Sequence, residues 1–170
     1  MNQQDNQIET VARRKNSMSN RILRRLILIP IIAIAGLFFL SMTASKPETL
    51  GATNGKLSEC PPSPNCVSTT SQLKSQKMPA IGFSEKPEEV LEKIKASVSQ
   101  AFPKARLITE KSDYLHFEFT SLIFRFVDDV EFLINDKDAV VHFRSASRVG
   151  HSDLGANRKR MTKICESLNP

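Results

Sequence analysis

The chain contains no tryptophan, one tyrosine, three cysteines and six glycines in 170 residues. Tryptophan is absent and tyrosine nearly so, and a stacking platform for nucleic acid is therefore not expected. The three cysteines, Cys60, Cys66 and Cys165, match no zinc-ligand spacing and include no CxxC redox pair. No glycine-rich phosphate loop is present, since the run from Gly150 to Gly155 around Ser152 and Asp153 reads as a tight turn into a capped helix. No lipoprotein-type cysteine follows the N-terminal apolar run, because Cys60 lies 15 residues beyond Ser45.

Charge is abundant and unevenly placed. The chain has 24 Lys and Arg against 18 Asp and Glu, a formal net charge of +6. Residues 1–25 carry +4 of this through Arg13, Arg14, Lys15, Arg21, Arg24 and Arg25, against Asp5 and Glu9. Residues 46–170 are nearly balanced, so the basic pI describes a leader and does not signal a nucleic-acid surface.

From Leu26 to Ser45 there are 20 residues without a charge. A helix of that length spans roughly the ~30 Å hydrocarbon core of a bilayer. Pro30 falls near the start of this window, where a missing N–H matters least. The basic leader 1–25 places its own end in the cytoplasm and the rest of the chain across the membrane. Thr43-Ala44-Ser45 could serve a signal peptidase, but the long leader and the long apolar window at 26–45 fit an uncleaved anchor better. Residues 41–59 contain Gly, Pro, Thr and Ser and no large apolar cluster, so 46–57 reads as a flexible tether. A folded domain follows over 58–168.

In an oxidising compartment the stiff CPPSPNC loop would suit a disulfide between Cys60 and Cys66. A Cys66–Cys165 bridge tying the ends of the domain together is equally open on the residues alone.

Pro87 to Phe102 reads as a helix, with proline first, Glu88 and Glu89 in the first turn, and Val90, Leu91, Ile94, Val98, Ala101 and Phe102 on one face. Four strand-like runs follow at 105–110, 114–120, 123–134 and 139–148. Pairing Glu110 with Tyr114, Thr120 with Ile123 and Ile134 with Ala139 puts apolar beside apolar and acid beside base. The core face is then Leu107, Leu115, Phe117, Phe119, Phe124, Phe126, Val130, Phe132, Val141 and Phe143. A last helix begins near Ser152 and Asp153, both good N-caps, with Leu154, Met161, Ile164, Cys165 and Leu168 as its apolar stripe and Asn157, Arg158, Lys159, Arg160 and Lys163 as its polar side. The expected fold class is α+β: a four-stranded antiparallel meander covered by helices, preceded by a single N-terminal transmembrane helix.

Within that register Asp128 falls on the core face opposite Ser145. A carboxylate there must be hydrogen-bonded, so Asp128, Ser145 and Ser147 are expected to fasten a neighbouring loop, 63–68 or 150–155. The functional alternative is the floor of a pocket. The other face carries Arg106, Glu118, Arg125, Asp129, Glu131, His142, Arg144 and Arg148 and reads as solvated, with alternating signs paired across strands. Arg125 opposite Arg148 is the one like-charge pair and hints at an anionic ligand. A Ser-His-Asp triad is not expected, because Asp128 and Ser145 face away from Asp129, Glu131 and His142. A metal site from the last three has no diagnostic spacing. Arg158 to Arg160 could touch anionic lipid.

RFVDDVEF at 125–132, VHFRSASRVGHSDLGANRKR at 141–160 and CPPSPNCVST at 60–69 together resemble the family called domain of unknown function 1499, over roughly residues 58–168. The resemblance implies limits for the domain. The address expected from the basic leader and the apolar run is the bacterial inner membrane, with a single pass and a periplasmic C-terminal domain. The resemblance implies no reaction, cofactor or metal. Cys165 lies outside the family pattern, which favours Cys60–Cys66 as the bridge. His151 stands where tyrosine is frequent in the family, which speaks against an essential role for it. The expectation is a membrane-anchored extracytoplasmic module, non-enzymatic, that binds an envelope protein or an anionic ligand or takes part in envelope assembly. The competing expectation is a small hydrolase or metal-dependent enzyme using the acidic strand 125–132.

Overall fold

The computed structural model describes residues 3–168, with side chains from residue 21 onward apart from Met42. The chain divides into two units, Met1–Leu40 and Ser41–Pro170. Helix α1, Gln3–Met42, makes up the described part of the first and ends two residues into the second. Within α1, Arg21–Ser41, 21 residues of mean hydropathy 2.2, is long and apolar enough to cross a membrane. This stretch ends before the expected Ser45 because the helix stops at Met42. Pro30 sits well inside α1 and not at a helix start, so its missing N–H removes one intrahelical bond.

The second unit is α+β. It begins with a small hairpin, β1 (Ala52–Thr53) and β2 (Lys56–Leu57), and two short strands, β3 (Cys66–Ser68) and β4 (Ile81–Gly82). Helix α2, Pro87–Ala101, follows, then β5 (Arg106–Glu110), β6 (Tyr114–Thr120), β7 (Val127–Asn135), β8 (Val140–Ser147) and helix α3 (Ala156–Leu168). Proline at the first position and Glu88 and Glu89 in the first turn start α2, as the sequence suggests. Pro103 prevents its continuation past Phe102, whose amide donates to the Val98 carbonyl.

The meander is present and extended: the sheet has six strands in the order β3-β8-β7-β6-β5, with β4 also on β8. Strands of two or three residues are too short to show a period, so β3 and β4 leave no trace in the hydrophobic pattern. Arg106 pairs with Glu118 and Leu107 with Phe117 as expected, but a bulge after Leu107 places Glu110 opposite Leu115 and not Tyr114. Thr120 pairs with Val127, not Ile123, because 121–126 forms a loop closed by Ser121, whose hydroxyl accepts the Phe126 amide at 2.9 Å. Ile134 pairs with Val141, not Ala139, because Asn135 caps the turn by accepting the Asp138 amide at 3.2 Å. Both displacements are even, so each side chain keeps its expected face while its cross-strand partner changes.

One face packs against α2 and α3. Its core joins Leu115, Phe117, Phe119, Val130, Phe132, Ile134, Val141 and Phe143 to Val90, Ile94, Val98, Met161 and Ile164. Phe124 and Phe126, in the loop, and Leu107, 39% exposed at the edge strand, lie outside it. Leu154 is not in the α3 stripe either: it precedes the helix with φ 53° and is largely exposed. The other face is covered in part by residues read above as a tether. Leu57 of the β1–β2 hairpin is buried with Tyr114 and Leu133. The face is therefore only partly solvated.

Candidate functional site

Tyr114, His116 and Glu118 alternate along β6 and so share the face turned away from the helices. On β7, Asp129 and Glu131 share it, and Arg144 of β8 lies opposite Glu131. The register sets His116 against Glu131 and Glu118 against Asp129. Two carboxylates facing across a ladder repel unless a cation enters between them. Arg148 does so: its Nε donates to Asp129 Oδ2 at 2.8 Å, its Nη2 to Asp129 Oδ1 at 2.7 Å, and Nη2 also binds Glu118. His116 Nε2 lies 2.8 Å from the same Asp129 Oδ1. Glu131 accepts from Arg144 Nη1 at 3.1 Å, from the Tyr114 hydroxyl at 2.8 Å and from the Gly51 amide at 2.7 Å.

Asp129 is 1% exposed and Glu131 fully buried, so these are interior charges, not surface pairs. Burial opposes the charge on Asp129, but the bonds from Arg148 and His116 outweigh it and hold its carboxyl below the usual range. Burial, and then the Glu131 charge, push the Tyr114 phenol well above its ordinary value. The Asp129 bond raises the Arg148 guanidinium in turn.

On the helix side, Asn157 of α3 is fully buried, although the sequence places it on the polar side of its helix. Its Nδ2 donates to the Asn65 carbonyl and to Ser147 Oγ, each at 3.0 Å, and its Oδ1 accepts from Ser145 Oγ at 2.6 Å. Asn65 Nδ2 in turn donates to the Gly150 carbonyl at 2.6 Å. The Ser145 and Ser147 hydroxyls thus bond Asn157, which ties them to Asn65, and it is Asn65 that holds the 150–155 loop at Gly150. Asp128 does not share in this. It pairs with Arg160 of α3, Nη2 to Oδ2 at 2.6 Å, and Arg160 Nη1 reaches Asn157 Oδ1 at 2.6 Å.

Arg125 sits in the exposed 121–126 loop with φ 59°, not opposite Arg148, so the like-charge pair does not exist. Asp153 caps α3, accepting the Asn157 amide at 2.8 Å, and Ser152 Oγ accepts the Leu154 amide at 3.3 Å. Arg158 donates to the Ser75 carbonyl at 2.6 Å. His142 Nδ1 lies 3.0 Å from Thr69 Oγ1, and Leu133 is its cross-strand partner, so Asp129, Glu131 and His142 do not converge. Among the described residues no group of three or more His, Cys, Asp or Glu is arranged to hold a metal ion. Cys60 and Cys66 form the disulfide, leaving Cys165 free. Sequence reasoning missed Tyr114, His116, Asn65 and the pairing of Arg160. The alternation of Tyr114, His116 and Glu118 through the apolar strand was the available signal for the first two.

An open cleft of about 440 Å³ lies between the end of α2, the β6–β7 loop and the start of α3. Phe102, Ala105, Phe119, Leu122 and Ala156 give it an apolar wall, and its charged residues are Lys104 and the Asp128–Arg160 pair.

The sequence model of the family described as "Protein of unknown function (DUF1499)" matches residues 56–168. The chain belongs to the DUF1499 family. No curated protein matches it. The DUF1499 region opens at Lys56, the first residue of β2, and takes in every strand of the main sheet, α2 and α3. Both polar clusters and the cleft lie within it, except Gly51, whose amide on Glu131 comes from outside the DUF1499 match.

Proposed function

We propose that the protein is a single-pass protein of the bacterial inner membrane whose folded unit lies on the periplasmic side and serves as a non-enzymatic binding module. The cleft carries this reading. Its volume is within the ~300–1,000 Å³ of small-molecule sites and its wall is mainly apolar with few polar groups, the composition of a ligand pocket. The carboxylates of the acidic strand support the same view. Asp128, Asp129 and Glu131 are each tied to an arginine. The partners of Asp129 and Glu131 among the described residues include no serine or cysteine nucleophile. The competing hydrolase or metal enzyme would need these groups turned toward a substrate.

Photocrosslinking in intact cells tests the reading, with a photoreactive amino acid at Ala156 in the cleft and at Lys137 in the β7–β8 turn as control. The expected result is a defined adduct from Ala156 and none from Lys137. Equal background from both overturns it, as does one equivalent of tightly bound metal whose removal abolishes a hydrolytic activity. A phosphatase reporter fused after Pro170 should be active outside the cytoplasm, and activity confined to the cytoplasm reverses the topology.

A further inference from the structure

We propose that the cleft and the loop beside it dock on anionic phospholipid of the membrane itself. The inference rests on the binding-module reading and names the ligand class. Three observations carry it. The loop between β6 and β7 presents Leu122 and Ile123 at 74% and 75% exposure. Two adjacent large aliphatic side chains held this far out by a structured turn have no partner within the fold, and a lipid interface is a solvent that would receive them. Leu122 also lines the cleft, so the exposed tip and the apolar wall are continuous. Phe124 and Phe126, whose ring centroids are 5.7 Å apart, give the same loop an aromatic base.

The second observation is charge. Lys104 lines the cleft, and Lys159, Arg160 and Lys163 line a shallow depression that shares Phe102 and Ala156 with it. The acid of the cleft, Asp128, is already bound to Arg160. Lys104, Arg125, Lys159 and Lys163 make no ion pair among the described residues. Lys163 Nζ reaches the Ala101 carbonyl at 3.4 Å and lies 5.1 Å over the Phe102 ring, and neither contact neutralises its charge. An apolar tip rimmed by cations without a carboxylate partner complements a headgroup layer that is anionic above an apolar interior. The third observation is chain continuity: the folded unit begins at Ser41, the residue that ends the span long and apolar enough to cross a membrane. Once that span is inserted, no free diffusion separates this face from lipid, and docking becomes an intramolecular equilibrium at high effective concentration.

The test uses the full chain with Leu122→Cys in a Cys165→Ser background, labelled with an environment-sensitive fluorophore. It is reconstituted into vesicles of phosphatidylcholine alone or of phosphatidylcholine mixed with phosphatidylglycerol, and Lys137→Cys serves as control. With phosphatidylglycerol present the Leu122 label should shift to the blue and escape an aqueous quencher, while the Lys137 label should do neither. High salt should reverse the shift. Lys104→Gln and Lys163→Gln should each lower the docked-to-undocked ratio roughly fivefold, the equivalent of ~1 kcal/mol per cation near an anionic surface. Unchanged Tyr114 fluorescence shows that these variants are folded. A label equally quenched in both vesicles overturns lipid docking. Equal protection in both, insensitive to salt and to the lysine changes, overturns the anionic requirement. A defined Ala156 adduct alongside a fully exposed Leu122 label means that the cleft binds something other than membrane lipid, so the two readings fail separately.

Discussion

Arg148→Met removes the cation that lets Glu118 and Asp129 face each other across β6 and β7. The methionine keeps most of the aliphatic stem, so the loss is chiefly electrostatic. The Arg148 side chain is 9% exposed, Asp129's 2% and Glu118's 15%, so solvent cannot replace it at Asp129. Breaking a buried pair by deleting one partner costs about 3–5 kcal/mol. For a unit of this size that is a fall in melting temperature on the order of 10–20 °C. The sign with pH follows from Asp129. Its carboxyl is held below the usual range in the native protein, so its stabilisation is present above the unfolded-state value and fades as pH falls through the native one. In the variant the buried carboxylate becomes the penalty, and protonation relieves it. The gap between wild type and Arg148→Met should therefore narrow in acid. Adding Asp129→Asn to Arg148→Met should recover part of the loss, since the stranded charge is gone. The chain has no tryptophan and Tyr114 is its sole tyrosine, bonded to Glu131 beside this cluster, so thermal melts followed by intrinsic fluorescence read the network directly. A drop of under about 3 °C, or a gap that does not change with pH, would refute the argument that Asp129 depends on Arg148.

Asn157→Ala removes one side chain that joins Asn65, Ser145 and Ser147, leaving several buried groups without partners. Loss of about 2–4 kcal/mol is expected in chemical denaturation, together with faster proteolysis in the 61–65 loop, and a loss under 1 kcal/mol contradicts it. Burial pushes the Cys165 thiol up to about 11. At neutral pH it should therefore resist maleimide until the unit is unfolded, and prompt labelling of the native chain would show the thiol to be accessible.

Which face each residue of β6, β7 and β8 takes was legible in the sequence, because face depends only on the parity of the register, whereas the one-residue bulge in β5 and the 121–126 loop were not. The actual partners were not legible either. They are set by turns that lean on non-glycine residues with positive φ, Arg125 in one and Ala139 in the other, where no glycine marks the spot. Helix α2 was readable to within a residue, since proline, glutamates and an apolar stripe agree. The polar face read as solvated because its cover comes from residues that carry no periodic pattern: one leucine, Leu57, and one backbone amide, Gly51. Backbone donors leave no mark in composition. The disulfide was one of two options on spacing, and the structure forms the shorter loop.

The bonds that complete the sheet bear on the order in which the chain is made. Strands β3 and β4 both pair with β8. The Gly51–Glu131, Asn65–Gly150 and Asn65–Asn157 bonds span 80, 85 and 92 residues. Strands β3 and β4, Gly51 and Asn65 are thus synthesised long before these partners exist, while β5 through β8 can zip together locally as a meander. Loop closure over such spans is slow, so the early segment should settle last, onto a sheet already formed. A chain stopped before β8 would have neither a ladder for β3 and β4 nor a carbonyl at Gly150 for Asn65. The unit's first forty residues then depend on its last thirty, and a ribosome pausing between them would leave the early segment open to proteases.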